Sequence, residues 1–338
     1  MASIDGRLSG IYCKTFGDNT LYDLMEKSIS TRSQQGETNI DEQHWPFKLV
    51  KSHLELRPLE TENVWIARLK PQFASKTTEY VKKIRSKQKE ALLHCARLRR
   101  IQKENEPLEL EIILCPVLAM TQSQIEKDLQ ELEIDAKVYI LPVPSHAPLT
   151  LEQYKEWNPI WPVFYRRHTE RQDIFTNREL EVIDGVLNDL IQAAFVSQSK
   201  GQIGCAAAVY DHTSRTVLSV SIDERNASRN PVDHCAMRAI NLVAAGERER
   251  RKLPHESSEE RYLCRGLTVL MTHEPCVMCS MALLHSRIFR LIYCQQQSLT
   301  GGIESLYGIH WRAELNHRYL AYSGWEKEVP ELEGNVHV

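Results

Sequence analysis

One histidine and two cysteines have the types and spacing needed to bind a metal ion. His234 follows Pro231 in one segment, and Cys276 and Cys279 follow Pro275 in another. One imidazole and two thiolates supply three of the four ligands of a tetrahedral zinc ion, and the fourth position is left for water or another group. The sequence therefore predicts a Zn²⁺ site at His234, Cys276 and Cys279.

Both segments are predicted to open a helix. Proline suits the first turn of a helix, and two cysteines spaced as Cys276 and Cys279 are then point to the same side. The amino-terminal end of a helix also favours negative charge, which helps to ionise a thiol. An isolated Cys-x-x-Cys pair could be a redox pair or two core residues. The metal interpretation therefore rests on the histidine, the prolines and the order of the surrounding elements.

The elements that must position these side chains fall into two groups. Up to residue 144, strand-like and helix-like runs alternate, which is typical of a small α/β domain. From about residue 178, the predicted order is helix, strand, strand, helix, strand, helix and strand, with a last strand at 320–322. We predict five segments: a poorly defined start (1–45), an α/β domain (46–144), a connector rich in proline and aromatic residues (145–170), a zinc domain (171–330) and a tail (331–338).

Composition is typical of a soluble folded protein. Of the 338 residues, 26% are charged and 42% are hydrophobic, and the apolar runs are too short to span a bilayer. The start of the chain lacks the apolar stretch of a secretory signal, and nine scattered cysteines suit a reducing compartment. We therefore expect an intracellular protein without membrane contacts. The net charge of −3 gives no indication of nucleic acid as a partner.

Positive charge is concentrated in one predicted helix, residues 76–103. This segment carries ten Lys or Arg residues against two Glu residues. Such a run is usually a solvated helix face, but clustered cations can also neutralise the backbone phosphates of a nucleic acid. Charge alone favours the solvated face.

The metal segments resemble those of a known family. His-x-Glu with Pro-Cys-x-x-Cys is the signature of the zinc deaminases, and residues 175–325 resemble the cytidine/tRNA-adenosine deaminase family. The resemblance implies an α/β protein whose C-terminal part has a cytidine-deaminase-like three-layer α/β/α fold. The smaller N-terminal α/β domain has a ferredoxin-like fold as one candidate. The chain departs from the family at one position, because Ala236 stands where the motif has glutamate.

The missing glutamate decides whether this chain can catalyse deamination. In the family it moves protons between the zinc-bound water, the ring and the leaving amine, and loss of such a group costs a factor of about 10²–10⁴ in rate. Glu274 is an alternative base, but active relatives also carry a glutamate before their Pro-Cys pair. We interpret Glu274 as support for the helix start, and the sequence predicts no catalytic residue.

Three further segments, 278–287, 301–310 and 315–319, and the added N-terminal domain resemble the inactive subunit of the eukaryotic heterodimeric tRNA wobble-adenosine deaminase. That resemblance implies a catalytic deaminase partner, adenosine-to-inosine conversion by the complex, binding of the tRNA anticodon arm, and a location in nucleus and cytoplasm. It also shifts the interpretation of the basic segment toward phosphate contact. The candidate RNA-binding residues are Lys82, Lys83, Arg97, Arg99 and Arg100.

Two alternatives stay open at this point. The chain could be an active zinc deaminase with an unrecognised base, including a Glu-to-Ala variant of one, or an RNA-binding scaffold that inherited the fold. We assign packing roles to Cys235, His310 and His317. Met278, Met281 and Leu284 form an apolar stripe at helical spacing, which suits a core or a dimer interface.

Overall fold

The computed structural model describes residues 38–85, 92–102, 107–166, 173–252 and 263–332. These residues form two units, divided after Val50 and before Asp173. The small unit is the middle of the chain, and the large unit combines the residues before Lys51 with those from Asp173 onward. The large unit begins with two short strands, β1 (Asn39–Ile40) and β2 (Lys48–Leu49). No helix among the described residues is long and apolar enough to cross a membrane.

The small unit follows the order strand, helix, strand, strand, helix, strand. Its elements are β3 (Thr61–Leu69), α1 (Ala74–Arg85), β4 (Leu98–Ile101), β5 (Glu109–Pro116), α2 (Gln122–Glu131) and β6 (Ala136–Pro144). The sheet order is β4-β5-β3-β6, and neighbouring strands are antiparallel. This element order and sheet order define a ferredoxin-like fold, which was the candidate predicted for the N-terminal domain.

Strand β5 shows that this sheet is buried on both faces. Ile112 and Leu114 pack with Ile125 of α2 on one face, whereas Ile113 belongs to a separate buried cluster with Trp161 on the other. Successive strand residues point to opposite faces, so an unbroken apolar run indicates burial on both sides.

The second face of the small sheet is covered by the residues that follow β6. Helix α3 (Leu151–Trp157) begins after Thr150, whose hydroxyl accepts the backbone N–H of Gln153. Beyond it, the rings and methyl groups of Trp161 and Val163 pack into the sheet. The predicted separate connector is therefore wrong over 145–166, because Trp157 and Trp161 are buried and these residues belong to the small unit.

The predicted basic helix over 76–103 is also wrong. Helix α1 ends at Arg85, and residues 98–101 form the edge strand β4 instead. Between them, Leu92 has a left-handed backbone conformation with φ of 61°, which cannot continue a right-handed helix. Three of the basic residues lie outside the described residues: Lys87, Lys89 and Lys103.

The large unit is a six-stranded sheet between two helical layers. Its remaining elements are β7 (Phe175–Thr176), α4 (Asn177–Ser199), β8 (Ala206–Asp211), β9 (Thr216–Ile222), α5 (Arg225–Ser228), α6 (Cys235–Arg250), β10 (Thr268–His273), α7 (Val277–His285), β11 (Arg290–Gln295) and β12 (Leu320–Ser323). The sheet order is β2-β12-β11-β10-β8-β9, in which β10, β11 and β12 are parallel. Helix α4 packs on one face and helices α6 and α7 on the other, which confirms the three-layer α/β/α prediction.

The first described residues belong to the large unit, in which β2 joins the six-stranded sheet and β1 and β7 form a separate two-stranded sheet. Strand β2 pairs with β12, and β1 pairs with β7. The predicted domain boundary at residue 46 is therefore misplaced, and the described part of the start, 38–45, is ordered structure of the large unit. Strands of two residues are too short to show a period in sequence.

An arginine side chain, that of Arg290, lies inside the core of the large unit. Arg290, at the start of β11, is 1% exposed and donates to both carboxylate oxygens of Asp173 at 2.9 Å, and also to Glu179. Its guanidinium lies 4.2 Å from the centre of the Phe175 ring. A buried arginine requires such partners because an unpaired buried charge is strongly destabilising. The network fixes the start of α4 to the sheet.

Candidate metal centre

The three predicted metal ligands meet at the amino-terminal ends of two helices. His234 directly precedes α6, Cys276 directly precedes α7, and Cys279 lies in the first turn of α7. Both helices follow strands that run in the same direction, β9 and β10, and both pack on the same face of the sheet, so their first turns lie at one edge. The structure thus brings the three residues predicted as ligands together.

The donor atoms fit a tetrahedral zinc ion. All three ligand atoms lie within 4.8 Å of one another, and Nδ1 of His234 is 3.8 Å from Sγ of Cys276. Ordinary zinc–sulfur and zinc–nitrogen bonds at a tetrahedral angle would place that pair about 3.6 Å apart. His234, Cys276 and Cys279 are 4%, 5% and 2% exposed. Among the described residues, no fourth His, Cys, Asp or Glu joins this group.

Hydrogen bonding prepares the centre for a cation. The bond from the Cys279 thiol is the largest cause that lowers the pKa of Cys276, and His234 acts in the same direction against the effect of burial. The same bond, together with burial, raises the pKa of Cys279. One thiolate is therefore favoured before any metal binds, and a bound cation would favour the second.

Ala236 leaves the centre without the expected base. It is completely buried in the first turn of α6, in the same apolar cluster as Cys276 and Cys279. A methyl group neither accepts nor donates a proton. The position that holds a carboxylate in the deaminase motif is here part of the hydrophobic core.

Glu274 does not take over the role of the missing base. It is completely buried, and its carboxylate accepts four backbone N–H groups and one hydroxyl from the loop after β11. The N–H donors lie at 2.8–3.0 Å and belong to Gln297, Ile303, Glu304 and Ser305, and the hydroxyl is that of Ser305. Glu274 was predicted to support the helix start, but its carboxylate bonds run instead to the loop after β11. The nearby glycines 301 and 302 were the only signal of that loop in the sequence.

The other residues of interest pack as predicted. Cys235 is buried and stays outside the group of metal-ligating atoms. Nε2 of His310 lies 3.2 Å from the carbonyl oxygen of Val50, and Nε2 of His317 lies 3.0 Å from that of Ile288. These histidines join segments of the large unit and do not bind the metal.

The structure separates the five predicted RNA-binding residues into two kinds. Lys82, Lys83, Arg97 and Arg100 are exposed. Arg99 instead donates to the buried carboxylate of Glu111 at 2.5 Å and to the carbonyl oxygen of Ile160 at 2.9 Å. Its guanidinium lies 4.6 Å from the centre of the Trp161 ring. The inclusion of Arg99 among the RNA contacts is therefore corrected, because its charge is engaged inside the small unit.

Profiles of two known protein families match the chain, one for each unit. Residues 62–161 match the tRNA-specific adenosine deaminase TAD3 N-terminal domain. Residues 185–295 match the cytidine and deoxycytidylate deaminase zinc-binding region. Fold and site together define a deaminase-type α/β/α domain with a His-Cys-Cys centre, joined to a ferredoxin-like domain.

Relatives extend the match over nearly the whole chain. The tRNA-specific adenosine deaminase subunit tad3 of Schizosaccharomyces pombe is 61% identical over 315 residues, which cover 93% of this chain and 100% of that protein. The tRNA-specific adenosine deaminase subunit TAD3 of Saccharomyces cerevisiae is 29% identical, over 79% of this chain and 85% of that protein. A human protein named "Probable inactive tRNA-specific adenosine deaminase-like protein 3" is 28% identical, over 68% and 76%. The chain belongs to the TAD3 family of tRNA-specific adenosine deaminase subunits.

Proposed function

We propose that this chain is the non-catalytic, zinc-binding subunit of a tRNA adenosine deaminase that converts wobble adenosine to inosine. The observation that carries the proposal is the buried methyl group of Ala236. Hydrolytic deamination at zinc needs a carboxylate that shuttles protons. Ala236 supplies none, and the carboxylate of Glu274 is occupied by five hydrogen bonds from the loop after β11.

The zinc ion in this proposal is structural. It would be held by His234, Cys276 and Cys279 and would tie the start of α6 to the start of α7. Structural zinc binding contributes directly to folding free energy. The three ligands are buried, and the fourth position of a structural ion would be closed by a protein group or a water molecule.

Adenosine hydrolysis takes place in a catalytic deaminase partner, in which a zinc ion would supply the activated water for a base turned out of the anticodon loop. Such a partner needs an interface on this chain. Met278 and Met281 lie on one side of α7 and are 37% and 39% exposed, whereas Leu284 is buried. The exposed part of the predicted apolar stripe supports contact with another protein chain.

The small unit contributes tRNA binding in this proposal. Lys82, Lys83, Arg97 and Arg100 are exposed and carry positive charge, which suits contacts to the phosphates of an anticodon arm. Location in both nucleus and cytoplasm stays a prediction, which cell fractionation checks.

The proposal is tested with the purified chain, its catalytic partner, and the two together. Zinc is quantified in each sample, and inosine formation is measured on full-length tRNA. We expect zinc in the lone chain without turnover, and efficient turnover only in the combined sample. Turnover by the lone chain would make it an active deaminase. Full turnover by the partner alone would leave this chain as an accessory scaffold.

A further inference from the structure

The loop after β11, residues 297–305, is attached directly to the segment that carries the metal-binding cysteines. We call it the Gly-Gly loop. Gly301 forms an isolated β-bridge with Cys276, and the N–H of Gly302 donates to the carbonyl oxygen of Pro275 at 2.8 Å. Ile303 is 1% exposed and lies in the same buried cluster as Cys276. The loop therefore packs against the metal centre.

Both glycines of this loop are required by close approach. A Cβ atom on Gly301 would lie 2.3 Å from the carboxyl carbon of Glu274, and one on Gly302 would lie 2.5 Å from Oγ of Ser280. No side chain fits at such distances without movement of its neighbours. The backbone of the loop is thus fitted to the Glu274 carboxylate on one side and to α7 on the other.

We propose that Glu274 is a positioning residue that holds the Gly-Gly loop against the segment that carries Cys276 and Cys279 and thereby sets how fast bound zinc is released. The inference rests on the proposed zinc centre. The three ligands are 2–5% exposed, so a chelator reaches them only after the chain around them moves. Moving the Gly-Gly loop away breaks its four N–H bonds and one hydroxyl bond to the completely buried carboxylate of Glu274.

The geometry requires a carboxylate and not an amide at this position. Oε1 accepts the N–H groups of Ile303, Glu304 and Ser305, and Oε2 accepts the N–H of Gln297 and the hydroxyl of Ser305. In the variant Glu274→Gln one oxygen becomes an NH₂ donor. That donor would face the N–H of Gln297, or three N–H groups if the amide turned over. Either orientation leaves a buried donor unsatisfied.

The test measures zinc transfer from the full-length, zinc-loaded chain to a colorimetric chelator, together with amide hydrogen exchange. Glu274→Gln should accelerate zinc release by about ten- to a hundredfold, which is the usual cost of removing a partner beyond the direct ligands. The amides of residues 297 and 303–305 should exchange faster, whereas those in the middle of β10 and β11 should not change. Glu314→Gln is the matched control, since Glu314 is exposed, and should release zinc like the wild type.

Ser305→Ala supplies a second, milder variant, because it removes one hydroxyl bond and keeps the carboxylate. Should Glu274→Gln not fold, faster zinc release from Ser305→Ala at normal zinc content would support the proposal. Unchanged release and unchanged loop exchange in the folded variants would overturn it. Absence of zinc from the wild-type chain would instead overturn the zinc centre itself, so the two failures are distinguishable.

Discussion

At residue 236 a buried methyl group occupies the position where the deaminase motif has a carboxylate. Restoring the glutamate in Ala236→Glu places a charge in an apolar cluster with no prepared partner. We expect the free energy of unfolding to fall by about 3 kcal/mol and the lone chain to remain inactive. Chemical denaturation and an inosine assay measure these effects. Turnover by the lone variant would contradict this expectation and would mean that adenosine reaches the His234, Cys276 and Cys279 centre.

The cysteine ligands give a second prediction for single residues. Cys276→Ser and Cys279→Ser should lose zinc and lower the melting temperature of the large unit by about 10 °C or more, because the metal is coupled to folding. The complex should lose turnover as a consequence. Cys294→Ser is the control, since Cys294 is a buried free thiol outside the centre and its variant should keep zinc. A metal-free Cys276→Ser complex with full turnover would refute the structural role.

Individual residues differ in how far the sequence reveals their roles. His234, Cys276 and Cys279 could be predicted because proline, helix start and ligand type occur together within short segments. The partner of Arg99 could not be predicted, because Glu111 pairs with it through strand register in a sheet whose order was unknown. The same holds for Glu274, whose acceptor role depends on a loop 23–31 residues further along the chain.

Strand β4 allows a comparison of neighbouring arginines on opposite faces. Burial would raise the pKa of Glu111, but hydrogen bonds from Tyr139, Arg68 and Arg99 together lower it, so the carboxylate stays ionised. Arg99→Ala leaves this buried charge with fewer partners and should lower the free energy of unfolding of the small unit by about 2–3 kcal/mol. Arg100→Ala should change it by less than about 0.5 kcal/mol.

The order of the two effects should be reversed for tRNA affinity, which Arg100→Ala should lower more than Arg99→Ala. Arg100 is exposed, so Arg100→Ala should weaken tRNA binding while the fold stays intact. Thermal unfolding and filter-binding titrations with the same samples measure both quantities. An Arg99→Ala variant as stable as the wild type would remove the structural role assigned to that side chain.

At the level of elements, long periodic segments were predicted well and short ones were not. The buried strands and the helix over Asn177–Ser199 follow clear apolar patterns. Strand β4 has four residues, and its two arginines and flanking cations resemble a solvated helix in composition. The strands β1 and β2 gain their hydrogen bonds from distant partners, which no local pattern records.

The proposed tRNA contacts of the four exposed basic residues are tested in the full-length chain. Replacing Lys82, Lys83, Arg97 and Arg100 together by alanine should weaken tRNA binding and reduce the slope of log affinity against log salt by about 3, if all four contact phosphates. Zinc content should not change. A control with the same charge change replaces four other exposed lysines of the small unit, Lys70, Lys127, Lys137 and Lys155. Equal losses in both variants would indicate bulk charge and not a defined surface.

The division of the chain into units was predicted only in outline. Two domains, with a metal site in the second, follow from motif position and element order. The boundary after Val50 depends on the pairing of residues 38–50 with strands of the large unit. The boundary before Asp173 depends on the packing of aromatic side chains against the small sheet. Both boundaries depend on contacts between residues far apart in sequence. Sequence periodicity reports only local structure and therefore does not predict them.

The most direct measurement of the central claim is turnover by a complex in which only the partner has lost its catalytic glutamate. This chain is left unchanged, so its His-Cys-Cys centre stays intact. We predict normal assembly, normal zinc content and inosine formation slower by a factor of about 10²–10⁴ than in the unmodified complex, because neither subunit then holds a base. Inosine formation at the rate of the unmodified complex would contradict the claim and would mean that this chain catalyses deamination without a glutamate at position 236.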